Sequence, residues 1–123
     1  MKQILPYWPN FDHDQIKSIN KIITSGKVNY HTGSFGKKFE KLFSNYTKTK
    51  YSLTVSNGTI AIEMALKAFG FKKNDEIIVT SRSFIASASS VVNVNLKPVF
   101  ADVNIESQNI DIKTIQKIFS KKI

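Results

Sequence analysis

The chain contains no cysteine, so neither a disulfide framework nor a thiolate metal site is available to it. No apolar run approaches the length of a membrane span, and the start, MKQILPYWPNF, lacks the apolar core of a signal peptide. A soluble cytoplasmic protein that engages no membrane is the expectation. Arginine is almost missing. Of the 18 basic residues 17 are lysines, set against nine acids for a formal charge of +9. Those lysines scatter over predicted helix faces and turns, and no basic stripe interleaves with aromatics. The charge is therefore not read as nucleic-acid binding. Together with the abundance of Ile and Asn it reads as the imprint of an AT-rich coding sequence. His13 and His31, far apart and without a nearby cysteine, make a poor metal site. Internal repeats, low-complexity tracts and flexible linkers are absent too.

What is present is a regular alternation of helical and strand patterns. Residues 1–10 read as a proline-punctuated extended arm. Asp12 or Asp14 can cap a helix whose Ile16, Ile19 and Ile23 recur at spacings of three and four, with Gly26 as the stop. A loop, residues 27–33 (KVNYHTG), leads into a second amphipathic helix with Phe35, Phe39, Leu42, Phe43 and Tyr46 on one face. Residues 51–55 (YSLTV), 76–80 (EIIVT) and 99–103 (VFADV) read as three short strands. Between the first two, a helix carries Ile62, Leu66 and Phe69 on one face and stops at Gly70. Asp111 begins a last helix with Ile112, Ile115 and Phe119 inward. Asp102 falls where a turn or cap is expected. At 123 residues the size suits one domain, but apolar strands linked by helices make a parallel sheet, which needs both faces covered. The expectation is the first part of a larger domain, whose isolated edges and apolar faces would aggregate or pack loosely.

The turn at residues 55–59, Val-Ser-Asn-Gly-Thr, carries the sharpest chemical hint. Gly58 between strand and helix permits close approach of a ligand to the backbone, and the free N–H groups of a helix's first turn favour an anion. Thr59 adds a hydroxyl. Asn57 is read as shaping the turn rather than touching a ligand. An ordinary capped βα turn would look the same, so the motif alone decides nothing.

Three blocks in order, SNGTIAIEMALKAFG, DEIIVTSRSFIASASSV and KPVFADVN, closely resemble the DegT/DnrJ/StrS family of sugar-nucleotide aminotransferases. The resemblance covers roughly residues 8–118 and only the N-terminal part of those much longer enzymes. It implies an α/β chain: the N-terminal part of the large domain of a fold type I PLP-dependent transferase, with a parallel or mixed sheet flanked by helices. Residues 1–34 would be an arm, a helix and a substrate-side loop, and residues 35–123 the incomplete first part of the PLP-binding domain. The cofactor implied is pyridoxal 5'-phosphate (PLP). By resemblance, Gly58 and Thr59 hold its phosphate, Phe84 stacks on its pyridine ring and Ser87 lines the same pocket. Tyr30 and His31 lie in the segment near the sugar nucleotide, with His31 standing where relatives carry a large aromatic.

The segments bearing the Schiff-base lysine and the carboxylate that pairs with the pyridine nitrogen are not found here. No catalytic residue is assigned, and Lys97 and Lys113 lie in the wrong context for that lysine. The resemblance implies transfer of an amino group, from glutamate, to a nucleotide-linked keto sugar such as a 4-keto-6-deoxy hexose. The product would feed polysaccharide, lipopolysaccharide or glycan assembly, and the full-length enzyme would be a homodimer. Two alternatives stay open: a catalytically dead fragment or relic, and a small phosphate-binding α/β module.

Overall fold

The computed structural model describes residues 8–120, so most of the expected arm, residues 1–7, lies outside the described residues. The chain divides into two compact units, the first ending at Thr54 and the second beginning at Val55.

In the first unit, α1 (His13–Thr24) starts at Asp12 through a reciprocal cap. The Gln15 N–H donates to Asp12 Oδ1 at 2.8 Å, and the Asp12 N–H donates to Gln15 Oε1 at 3.0 Å. The helix gives way to Gly26 at φ 68°, the left-handed turn that glycine adopts without strain. Helix α2 (Phe35–Thr47) follows, and neither helix has a buried residue. Their apolar faces exist as the periodicity predicts, but Ile16, Ile19, Ile23, Phe39 and Leu42 remain exposed among the described residues.

The strand expected over residues 51–55 does not form. A strand is defined by its ladder, and no ladder partner is supplied by the described residues. Side chains hold this segment instead. Ser52 Oγ donates to the Glu40 main-chain oxygen at 2.6 Å, and the Thr54 N–H and Oγ1 both donate to Glu40 Oε1.

The second unit runs α3 (Gly58–Ala68), β1 (Glu76–Thr80), α4 (Ala86–Asn93), β2 (Lys97–Ala101) and α5 (Ile112–Ser120). β1 and β2 pair in parallel, with register from Glu76 opposite Lys97 to Thr80 opposite Ala101. β2 thus starts two residues before the expected 99–103 and takes in Pro98. Proline is tolerated where its missing N–H faces no ladder acceptor, as on an edge. The core is small: Val79, Val91 and Leu96 are buried, with Leu66, Ile77, Ala88 and Val94 packed against them.

Two helix faces differ from the pattern. On α3 the half-buried residues are Thr59, Glu63 and Leu66, while Ile62 and Phe69 are exposed, because the partner that selects its inner face is the polar edge of α4. On α5, Thr114 is buried and Ile115 and Ile118 half-buried, whereas Ile112 and Phe119 point outward. Asp111 caps that helix as expected, its Oδ1 accepting the Thr114 N–H at 2.8 Å. No helix among the described residues is long and apolar enough to cross a membrane.

Candidate functional site

Two contacts fix how α3 and α4 lie together. Ser90 Oγ donates to the Thr59 main-chain oxygen at 3.3 Å, and Asn93 Nδ2 donates to Glu63 Oε1 at 2.7 Å. Moving toward the C-terminus in one helix moves toward the C-terminus in the other, so the two helices run parallel. Helix α4 joins two parallel strands and must run back against them, which puts its N-terminus at their carboxyl ends. The N-terminus of α3 shares that end. This is the edge at which open α/β sheets bind ligands.

Gly58, Thr59, Phe84 and Ser87 therefore lie toward the same end of the second unit. Asn57 caps α3 as the sequence suggests, accepting the Ile60 N–H on its Oδ1 at 3.0 Å, and its main-chain oxygen accepts the Ala61 N–H. That leaves the N–H groups of Gly58 and Thr59 and the Thr59 hydroxyl without an acceptor or donor among the described residues. The position where a side chain on Gly58 would begin meets no atom within 4 Å, so the backbone there is open to a ligand. The helix dipole adds positive potential at the same place.

Phe84 precedes α4 by two residues, in the connection from β1, and is 78% exposed. The Phe84 main-chain oxygen accepts the Ser87 N–H at 3.0 Å, which ties the stacking candidate to the first turn of α4. Ser87 is half-buried and its hydroxyl lies 2.6 Å from that of Ser83. Arg82, the lone arginine, bonds to the Gln108 side chain. Among the described residues Asp102 makes a local bond only, accepting the Val103 N–H at 2.8 Å. Lys97 sits at the opposite end of the sheet from Thr59, paired with Glu76 at 2.9 Å, and Lys113 lies in the first turn of α5.

Tyr30 and His31 belong to the first unit. Asn29 organises their loop, its Oδ1 accepting the His31 N–H, the Thr32 N–H and the Thr32 hydroxyl. The Tyr30 hydroxyl donates to Glu40 Oε2 at 2.9 Å, and the His31 ring stands edge-on to Tyr30 with centroids 6.0 Å apart. Glu40 is the residue that sequence reasoning missed. Its bonds to Thr54 hold its carboxyl below the usual carboxylate range, and the hydrogen bond it accepts from Tyr30 in turn holds that phenol above its ordinary value. A signal for it existed: Glu40 is the lone acid between Asp14 and Glu63, in a stretch that holds eight lysines.

The sequence profile of the DegT/DnrJ/EryC1/StrS aminotransferase family matches residues 9–122. The chain belongs to this family. Among similar proteins, the GDP-perosamine synthase of Vibrio cholerae is 34% identical over 116 residues, covering 94% of this chain and 31% of that protein. The aminotransferase from Psychrobacter cryohalolentis has a solved structure that superposes with a TM-score of 0.86 at 39% identity, covering 91% of this chain and 28% of that one. An Escherichia coli GDP-4-keto-6-deoxy-D-mannose-3-dehydratase with bound hydrated PLP superposes with a TM-score of 0.75 at 28% identity, covering 88% and 29%. The fold expectation is met: this is the α/β N-terminal part of a fold type I transferase. The chain spans about a third of the length of the curated relatives it matches.

Proposed function

We propose that this chain forms the phosphate- and ring-holding part of a PLP-dependent aminotransferase that acts on a nucleotide-linked keto sugar. The observation that carries the reading is the unpartnered cluster at the start of α3, the N–H groups of Gly58 and Thr59 with the Thr59 hydroxyl, at the same sheet edge as the exposed ring of Phe84. These groups fit PLP. A phosphate needs donors and positive potential, and a pyridine ring needs a flat apolar face that does not compete for its nitrogen. When bound, the cofactor supplies the electron sink for moving an amino group. Thr59 and the α3 backbone hold the phosphate and so set where the ring lies. Phe84 holds the ring's plane, and Ser87 borders the pocket. Tyr30 and His31 are the proposed substrate contacts, and glutamate the proposed donor.

The GDP-perosamine synthases support a GDP-linked sugar as acceptor, and the name of the dehydratase neighbour supports its being a 4-keto-6-deoxy hexose. A full-length homodimer in the cytoplasm, serving polysaccharide or lipopolysaccharide assembly, completes the reading. The dehydratase neighbour supplies the rival outcome, loss of a hydroxyl from the same kind of sugar.

The deciding experiment incubates the protein as the cell makes it with PLP, glutamate and a GDP-linked 4-keto-6-deoxy hexose. Formation of the amino sugar with stoichiometric 2-oxoglutarate is expected. A deoxygenated sugar supports the rival, and no turnover with any nucleotide-linked keto sugar points to the relic.

A further inference from the structure

Glu40 gathers three parts of the first unit onto one residue. Its Oε1 accepts the Thr54 N–H at 2.9 Å and the Thr54 hydroxyl at 2.8 Å, its Oε2 accepts the Tyr30 hydroxyl at 2.9 Å, and its main-chain oxygen accepts the Ser52 hydroxyl at 2.6 Å. The Tyr30 contact reaches ten residues along the chain and the Thr54 contacts fourteen. The loop backbone is set locally by Asn29, but its aromatic side chains are set from elsewhere. Gly36, on the same helix as Glu40, leaves the room this requires: a Cβ there would lie 2.7 Å from Tyr30 Cδ2. Lys37 Nζ stands 5.9 Å from the centre of the Tyr30 ring, a cation beside both the ring and the carboxylate. His31 then packs edge-on against the ring that Glu40 holds.

We propose that Glu40 is a positioning residue for the substrate-side loop: one carboxylate locks Tyr30 to the 52–54 segment and thereby aims Tyr30 and His31 at the nucleotide-linked sugar without touching it. This rests on the functional reading above. A carboxylate suits the task because both of its oxygens accept, and all three side-chain partners, the Thr54 N–H and the Thr54 and Tyr30 hydroxyls, donate. Glutamine can keep both Thr54 bonds on its single oxygen and turn its amide toward the Tyr30 hydroxyl, which can accept. Alanine keeps neither tie. Tyr30, His31, Lys37 and Glu40 itself are charged or titratable groups at the contact.

The test compares Glu40→Ala, Glu40→Gln, Tyr30→Phe and the Glu40→Ala/Tyr30→Phe pair in the protein as the cell makes it, by steady-state kinetics and amide hydrogen exchange. Glu40→Ala and Tyr30→Phe should each raise KM for the nucleotide sugar about tenfold, the scale of one lost charge-assisted hydrogen bond, with kcat nearly unchanged. The pair should show little more than either alone, and Glu40→Gln should recover most of the loss. Exchange at the Thr54 amide and across residues 29–33 should quicken in Glu40→Ala. Unchanged KM in both single variants, or effects that multiply in the pair, overturns the proposal. If Glu40→Ala does not fold, Tyr30→Phe and Glu40→Gln carry the comparison. If the parent protein turns over no nucleotide-linked sugar, the functional reading fails separately, and unchanged exchange in Glu40→Ala then overturns the clamp.

Discussion

In the second unit, Val79, Val91 and Leu96 are withdrawn from water between a parallel strand pair and α4, whereas in the first unit no residue of α1 or α2 is buried. The second unit rests on packing, which is non-directional and tolerates small shifts. The first rests on caps, an asparagine-organised loop and the bonds converging on Glu40, which are directional and in exchange with water. Local opening is cheaper where few apolar contacts resist it. The two candidate sites follow this division. The cofactor groups start from helix ends braced by a packed core, and the substrate-loop residues hang on a carboxylate.

The strongest way to sharpen the contrast is a charge in the packed unit. Val91 is 1% exposed, so Val91→Asp leaves an unpaired buried carboxylate and should cost about 3–5 kcal/mol. Loss of amide protection across β1, α4 and β2 is the readout, and a variant as protected as the parent would mean that the core is not what holds this unit.

Acid should act more gently, and on the polar unit through one residue. Glu40 binds its proton more weakly folded than unfolded, because Thr54, Tyr30 and Lys37 favour the charged form. Its contribution is therefore present above the ordinary carboxylate range and is lost as pH falls through the lowered folded value. Exchange at Thr54, corrected for its intrinsic pH dependence, should rise on acidification in the parent but not in Glu40→Gln. Asp111 in the second unit has the same sign, held low by Thr114 and Asn104, so α5 should fray over a similar acid window.

Features set by neighbouring residues were legible in the sequence. Asp12 with Gln15, the stops at Gly26 and Gly70, the bounds of β1 and the helix opening at SNGT all depend on contacts within a few residues. Features set by distant partners were not. Residues 51–55 have a strand's composition but no ladder. Phe69 and Phe119 fit an apolar stripe yet face outward, because α3 and α5 turn Thr59, Glu63 and Thr114 inward. Pro98 lay outside the expected strand over 99–103 and sits inside β2. Glu40 stayed hidden because its partners lie ten to fourteen residues away. The candidate cofactor site was proposed from the order of the motifs, while the parallel packing of α3 on α4 needed coordinates.

The central claim is that Thr59 and Phe84 meet one PLP molecule, and dissociation constants of PLP from the protein as the cell makes it test it most directly. Thr59→Val removes a hydrogen bond to a charged group and should weaken binding by about 1.5–3 kcal/mol. Phe84→Ala removes an aromatic face and should weaken it by about 1–3 kcal/mol. Losses of that size in both variants, with unchanged amide protection in β1 and β2, are the predicted result. Dissociation constants equal to the parent's in both variants would contradict the account.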